Sequence, residues 1–439
     1  MLSAQENDLI CRTGPGTPMG ELWRRFWLPI MLAKELPERD GPPVRARILS
    51  EDLIAFRDTS GAIGLVANNC PHRGASLFFG RNEEEGLRCV YHGWKFDRSG
   101  ACIDMPNEPA ESNPSAELRT SFKNKVHVTA YPVQEAGGFV WAYLGPRSLQ
   151  PELPRFGFNL VPEEQRLSHK VMVYSNYLQA LEGDIDPVHI SFLHGPLDGR
   201  LDVPWRERLR LGRGIGGNLP DAAEDVTPSM LVKETQYGFA IGARRNSGAD
   251  HYMWRINQFL MPCYALIPGP LGHNQSCTIR IPIDDENSWA FRSRWNDNRA
   301  LTAEELVEYT RVGVSLAETR PGTFIPVEHR DNDYLIDREQ QRHTSMTGIK
   351  SISQQDRAVT ETMGPIYDRT KEHLGTTDVG IIVLRRILIK AARELLAGIE
   401  PRQAQDGGVY KARAPQLRAP RSVSFDQLVE DYVLNTTNV

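Results

Sequence analysis

Short apolar stretches, alternating or continuous and broken by turn residues every few positions, fill the first 150 residues of the chain. Val44-Arg-Ala-Arg-Ile-Leu and Leu53-Ile-Ala-Phe-Arg read as strands, and Asp58-Thr-Ser-Gly supplies a hairpin turn into Ile63-Gly-Leu-Val. Phe139-Val-Trp-Ala-Tyr-Leu reads as a further strand that ends at Gly145-Pro146. Ahead of them, residues 1–25 read as a short helix and loop leading into Trp23, Phe26 and Trp27. The prolines Pro146, Pro151 and Pro154 withhold backbone donors and set the expected boundary at residue 150. The pattern predicts an N-terminal extension over 1–25 and an all-β unit over 26–150.

Beyond 150 the periodicity is mixed, and 151–439 is expected to be a second unit of α+β type. Residues 171–194 predict a helical segment, and 230–295 predict antiparallel strands. Within the latter, Tyr237-Gly-Phe-Ala-Ile-Gly and Tyr252-Met-Trp-Arg-Ile flank Asn246-Ser-Gly as a hairpin. Helical patterns return at 302–317, with Thr302 as N-cap ahead of Glu304 and Glu305, and dominate from 355 to 398. Arg385, Arg386, Lys390 and Arg393 interrupt the apolar stretch Val379 to Leu396, while Ile382, Leu388, Ala392 and Leu395 recur at near-helical spacing. This is a packing helix, and no apolar run approaches the roughly 18 residues that span a bilayer. The basic, proline-containing tail from Pro401 is expected to wrap over a surface rather than build core.

Composition narrows the function class. The 439 residues are 40% hydrophobic and 24% charged, with a formal net charge of −5. That balance suits a globular enzyme and argues against nucleic-acid binding, which needs a basic surface. Met1-Leu-Ser-Ala-Gln-Glu-Asn-Asp has neither a basic nor an apolar leader region, so a soluble, cytoplasmic protein without a membrane partner is expected. The six cysteines are Cys11, Cys70, Cys89, Cys102, Cys263 and Cys277. In such a chain they are expected to stay reduced or to bind metal.

Two of them sit beside histidines. Cys70-Pro-His72-Arg-Gly and Cys89-Val-Tyr-His92-Gly-Trp94 give C-x-H, sixteen residues, then C-x-x-H. Two thiolates and two imidazoles suit tetrahedral zinc or a Rieske [2Fe–2S] centre, in which two histidines replace two cysteines on one iron. The pairing of one Cys with one His in each loop favours iron–sulfur, since a zinc finger groups its cysteines and its histidines separately. A Rieske centre carries electrons and makes no bonds, so a second site must do the chemistry.

Asp186-Pro-Val-His189-Ile-Ser-Phe-Leu-His194 supplies D-x-x-H-x-x-x-x-H. Two imidazoles and a carboxylate suit non-haem Fe(II) with open positions for O₂. Five residues turn about 140° round an ideal helix, so the helix must bend or end between His189 and His194, and Gly195-Pro196 marks its stop. Asp186 before Pro187 also reads as an N-cap and N1 pair.

With both motifs in sequence, the chain resembles the α-subunit of Rieske ring-hydroxylating oxygenases, in the phthalate 4,5-dioxygenase-like branch that works without a β-subunit. The likeness runs from Gly14-Pro-Gly-Thr-Pro-Met-Gly-Glu-Leu through the cluster loops and Met105-Pro-Asn-Glu-Pro-Ala-Glu-Ser. It continues through Trp254 to Pro262 and Asp331-Asn-Asp-Tyr-Leu-Ile-Asp-Arg, and ends in Gln355-Asp-Arg-Ala-Val-Thr-Glu-Thr-Met-Gly-Pro-Ile. The resemblance implies a Rieske domain over 26–150 and a helix-grip (START-like) catalytic domain with an antiparallel sheet over 151–439. It implies a head-to-tail homotrimer, or a homohexamer of two trimers, in which one subunit's cluster feeds its neighbour's iron. Asp186 would then bridge His92 of one subunit and His189 of the next, and Asp356 would be the carboxylate ligand, with Asp331, Asp333 and Asp337 as rivals. The branch carries small hydroxyl residues where this chain has Pro187-Val188, which argues against phthalate itself as substrate.

An aromatic acid substrate wants a guanidinium for its carboxylate; Arg244 and Arg245 end a strand, and the resemblance favours Arg244. Gly212-Arg-Gly214-Ile-Gly-Gly217 matches a dinucleotide fingerprint, yet no apolar strand precedes it and Asn218-Leu-Pro220 follows where a helix should start. It reads as a loop, so a separate NAD(P)H-dependent reductase is expected. The implied activity is oxidation of a small aromatic carboxylic acid by O₂, as cis-dihydroxylation or, alternatively, O-demethylation. A non-catalytic Rieske electron carrier and a zinc-stabilised binding module are the readings of other classes.

Overall fold

The computed structural model describes residues 1–107, 122–211 and 225–434. The Gly212–Gly217 motif and part of the Met105–Ser112 segment lie outside the described residues. Two helices, not one, open the chain. Ser3 and Glu6 form a reciprocal capping box on helix Ala4–Cys11, and Thr17 caps Pro18–Trp23 with proline in its first turn. Both pack on helix Val379–Leu396, so the first 25 residues join the far end of the chain.

Ten short strands follow. β1 (Trp27–Leu32) pairs later with β10 (Phe139–Tyr143). β2 (Val44–Ile48), β3 (Glu51–Arg57) and β4 (Ile63–Ala67) form an antiparallel meander. β5 (Arg81–Glu83), β6 (Gly86–Arg88), β7 (Lys95–Phe96) and β8 (Cys102–Asp104) make a four-stranded sheet, and β9 (Val133–Ala136) pairs with β10. The expected Asp58 turn is present, with the Asp58 carboxylate accepting from the Ala62 amide at 2.9 Å. Ile54, Phe56, Val66, Leu87, Trp94 and Phe96 form a small core under the cysteine–histidine loops. The main core runs unbroken from Trp23, Trp27 and Trp141 to Phe158, Tyr264 and Phe291, so β1 and β10 pack against the second half of the chain.

That half is built on one antiparallel sheet. Its strands are β11 (Arg166–Val173), β12 (Ser229–Glu234), β13 (Gly238–Ser247), β14 (His251–Leu260), β15 (Tyr264–Ile267), β16 (Gly269–Pro270), β17 (Gln275–Pro282), β18 (Ser288–Trp295) and β19 (Pro415–Pro420). The order along the sheet is β11-β18-β17-β15-β14-β13-β12, and β19 pairs with β14 and β16. The expected hairpin is longer than its sequence pattern, in register from Gly238–Leu260 to Ser247–His251. Helix Val379–Leu396 packs on β12 and on helix Tyr177–Ile185. Gly380 lets the Ile241 side chain pack close, since a Cβ there would lie 2.2 Å from Ile241 Cδ1 and push it to another rotamer.

Other expectations are corrected. The helix capped by Thr302 ends at Thr310, short of 317. The predicted helical run is two helices, Ile352–Thr362 and Val379–Leu396, separated where Gly364 takes a φ of +98° ahead of Pro365. The tail does build core. β19 is a strand of the main sheet, and Tyr410, Leu417, Phe425, Leu428 and Val429 are buried. Two of its prolines, Pro415 and Pro420, stand at the ends of β19, where a missing donor costs least, and Pro401 precedes helix Arg402–Gln405.

Candidate metal centres

The two N-terminal loops share one backbone design. The Cys70 amide donates to Ala75 O and the Cys89 amide to Trp94 O, both at 2.8 Å. Gly74 and Gly93 donate back to the carbonyls of Cys70 and Cys89, both at 2.9 Å, with φ of +77° and +80° that a side chain would strain. Both thiols are buried, and the His72 ring lies 4.4 Å from that of His92 and stacks on Trp94 at 4.2 Å. Burial, with Cys89 alongside, pushes the Cys70 thiol up to about 11, so only a bound cation would hold it as thiolate. His92 Nδ1 is buried without a partner among the described residues, as an unfilled ligand position would be.

The second group arises where a helix fails. Asn176 caps helix Tyr177–Ile185, its side-chain oxygen accepting from the Leu178 amide at 3.1 Å. The helix stops at Ile185, before both histidines, because Pro187 denies the next donor. The sequence pattern predicts a helix that bends or ends between the two histidines, with its stop at Gly195-Pro196; instead it ends ahead of both, and a single 3₁₀ turn, His189–Ser191, carries the chain on. That turn resolves the five-residue spacing, and the His189 and His194 rings meet at 5.1 Å and 79°. Asp356, on helix Ile352–Thr362, reaches between them, with Oδ1 3.1 Å from His194 Nε2 and 3.7 Å from His189 Nε2.

The ligand atoms of His189, His194 and Asp356 all lie within 4.8 Å of one another. Asp331, Asp333 and Asp337 are elsewhere: Asp331 lies beside His329, Asp333 sits in a turn at a φ of +51°, and Asp337 caps helix Arg338–His343.

Neighbours orient each ligand. Gln355 Oε1 lies 2.6 Å from His194 Nδ1. Asp186 accepts from the Val188 amide at 2.7 Å and places Oδ2 3.4 Å from His189 Nδ1. Arg245, only 1% exposed, donates to Pro187 O at 3.2 Å and braces the histidine turn. Burial alone would raise the Asp356 carboxyl, but His194, His189 and Arg280 outweigh it and hold it below its ordinary range. Burial works against charge on His189 too, yet Asp186 and Asp356 raise it. A divalent cation replaces the protons these groups would otherwise share, so the donor set fits Fe(II).

The three residues border a cavity of about 230 Å³, with Arg255, Asn257 and Ile267 on its sheet side. Asn257 and Arg255 alternate on β14, so one face of the sheet meets the cavity. Arg245 shares that face, whereas Arg244 is on the other. The Arg244 guanidinium lies 4.6 Å from the Tyr252 ring and 5.9 Å from that of Trp254, which stacks on Phe425. The expectation for Arg244 is corrected by this alternation: it stands one residue out of phase with the cavity. Sequence reasoning missed Arg255, Asn257, Arg292 and Gln355. The signal for the first two was present, as polar residues at period two in the buried run Met253 to Leu260.

Comparison with known proteins bears on both centres. Residues 26–132 match the family described as Rieske [2Fe-2S] domain, and 142–425 match LigXa C-terminal domain like. The 3-chlorobenzoate-3,4-dioxygenase oxygenase subunit of Comamonas testosteroni is 38% identical over 99% of each chain. The phthalate 4,5-dioxygenase oxygenase subunit of Pseudomonas putida is 38% identical over 91% of this chain and 88% of its own. The 5,5'-dehydrodivanillate O-demethylase oxygenase subunit of a Sphingobium species is 32% identical over 94% and 86%. Dicamba monooxygenase bound to dicamba superposes with a TM-score of 0.58 at 17% identity, over 85% of this chain and 98% of that one, a likeness of fold.

Proposed function

Because the chain belongs to the Rieske non-haem iron oxygenases, as a terminal oxygenase subunit with a [2Fe–2S] cluster and a mononuclear iron, we propose that it oxidises a small aromatic carboxylic acid with O₂. Cys70, His72, Cys89 and His92 would hold the cluster, and His189, His194 and Asp356 the mononuclear iron. The observation that carries the reading is the closure of these last three on the wall of a cavity that also holds Arg255 and Arg292. Iron bound there supplies open coordination positions at which O₂ is reduced. The chain's own residues do the rest. Gln355 and Asp186 orient the imidazoles, Ile267 gives the cavity an apolar wall, and the arginines favour an anion.

Asp186 is exposed enough to reach a second chain as well as His189. In a head-to-tail homotrimer, or a homohexamer, it would accept a hydrogen bond from His92 of the next subunit and couple the two centres. Electrons would come from a separate NAD(P)H-dependent reductase. Among the described residues, no helix is long and apolar enough to cross a membrane. A non-catalytic carrier accounts poorly for a chain that matches oxygenase subunits over 99% of its length.

The test is reductase-driven turnover under ¹⁸O₂ with benzoates, phthalates and methoxybenzoates. Two labelled oxygens in a cis-diol mark dihydroxylation. A phenol that keeps its unlabelled ether oxygen, with release of formaldehyde, marks O-demethylation, the second reading, which the 32% identical O-demethylase subunit favours. Oxygen uptake with none of these acids oxidised would refute the substrate class.

A further inference from the structure

Arg255 is a buried cation without an ion-pair partner among the described residues. It is 8% exposed and borders the cavity shared by His189, His194 and Asp356. Among the described residues, the hydrogen bond recorded for its three nitrogens is that of Nη1 to the side-chain oxygen of Gln416 on β19. Nε is buried without one among the described residues, as is Gln416 Nε2. Burial, and then the like charge of Arg245, push the Arg255 guanidinium down to about 10. The nearby carboxylates are engaged elsewhere. Asp184 holds Arg280 through two contacts of 2.6 and 2.7 Å, and Asp356 lies between the histidines. A desolvated guanidinium is costly to keep unless an anion completes it.

We propose, on the oxygenase reading above, that Arg255 seats the carboxylate of the substrate and that Gln416, from the C-terminal strand, positions it. The guanidinium offers Nε and Nη2 as a two-donor edge, the geometry that matches both oxygens of a carboxylate. Gln416 takes Nη1 and so sets which edge faces the cavity. The ring bound behind that carboxylate is thereby held towards His189, His194 and Asp356. Arg292 also borders the cavity and has no hydrogen-bond partner among the described residues. It is partly exposed, and burial pushes its guanidinium down as well, only partly countered by Asp184 and Asp356. Two strands separate β18 from β14, roughly 14 Å between backbones at the usual strand spacing, so Arg292 enters the cavity from a different part of the sheet and is tested separately.

The test is calorimetric binding to the full-length, iron-loaded protein without oxygen, using 3-chlorobenzoate, 3-chlorobenzamide and cyclohexanecarboxylate. The wild type should bind the acid at least about tenfold more tightly than the amide, and Arg255→Gln should bring the two within about twofold without weakening the amide. Arg255→Lys should retain part of the preference. Gln416→Glu leaves Arg255 in place and supplies the missing anion within the chain. It should abolish the acid preference while raising the melting temperature, a combination that a merely structural role would not produce. An acid preference that survives in both Arg255→Gln and Gln416→Glu, or that only Arg292→Gln removes, overturns the seat. Should 3-chlorobenzoate still be oxidised in that case, the aromatic-acid reading stands without it. If cyclohexanecarboxylate instead binds and reacts as well as the aromatic acid, with the preference lost in Arg255→Gln, the seat stands and the aromatic reading falls.

Discussion

Gln355 and His194, 161 residues apart in the chain, are joined side chain to side chain at 2.6 Å, and the direction of that bond is settled by a third group. Gln355 Nε2 donates to Ile349 O at 2.7 Å, so Oε1 faces the ring and accepts from His194 Nδ1–H. The proton therefore sits on Nδ1, and Nε2, 3.1 Å from Asp356 Oδ1, is the nitrogen left to bind metal. Gln355→Leu should weaken Fe(II) binding by about 10- to 100-fold while the cluster's EPR signal is unchanged. Competition with a chelator measures it, and an unchanged affinity would mean that packing alone orients the ring.

Asp356→Ala should lower the iron content from about three per chain to about two, with acid-labile sulfide staying near two. Metal and sulfide analysis of anaerobically prepared protein checks this. Full retention of the third iron would mean that a group other than Asp356 supplies the carboxylate.

Asp186→Asn keeps the shape and the bond from the Val188 amide but removes the charge near His189. Both metal centres should remain loaded and the cluster should still be reduced by reductase, while product formation falls at least about a hundredfold. Normal turnover would remove Asp186 from any coupling role.

Glu182 lies between Arg369 and Arg385 at 2.9 and 2.6 Å, and Arg385 also pairs with Glu372, all four being largely buried. Glu182→Leu leaves two buried guanidinium groups facing one carboxylate. It should destabilise the fold by about 3–5 kcal/mol, read by chemical denaturation. Glu182→Gln should cost less, since it still accepts one hydrogen bond.

Truncation after Ala414 removes β19, and with it five register pairs on β14 and the burial of Phe425, Leu428 and Val429. The truncated protein is expected to melt well below the full chain or to aggregate. Unchanged melting would show that the tail is dispensable to the sheet.

Much of this was legible in the sequence where the determinants are local. The meander from Val44 to Ala67 follows from apolar alternation and the Asp58 turn. Thr302 and Glu305 form the cap that their spacing announced. Less was legible where distant segments compete. The proline-rich tail looked like a surface strap because its strand partner is more than 150 residues away, at β14. The helix expected to bend or end between His189 and His194 ends ahead of both, since Pro187 weighs more than the apolar pattern around it.

Taken alone, the sequence determined which donor types stand close in the chain, because Cys-x-His, Cys-x-x-His and Asp-x-x-His-x-x-x-x-His are short-range patterns, while zinc beside iron–sulfur and the rivals of Asp356 stayed open. Only the tertiary structure decided which arginine meets the cavity. Arg244 and Arg245 are neighbours in the chain, yet strand alternation puts them on opposite faces of the sheet. Arg255 gains its orientation from Gln416, 161 residues downstream. Side-chain type is written locally, whereas the face a side chain presents and the partner that holds it depend on strand register, which is fixed by the packing of the whole sheet.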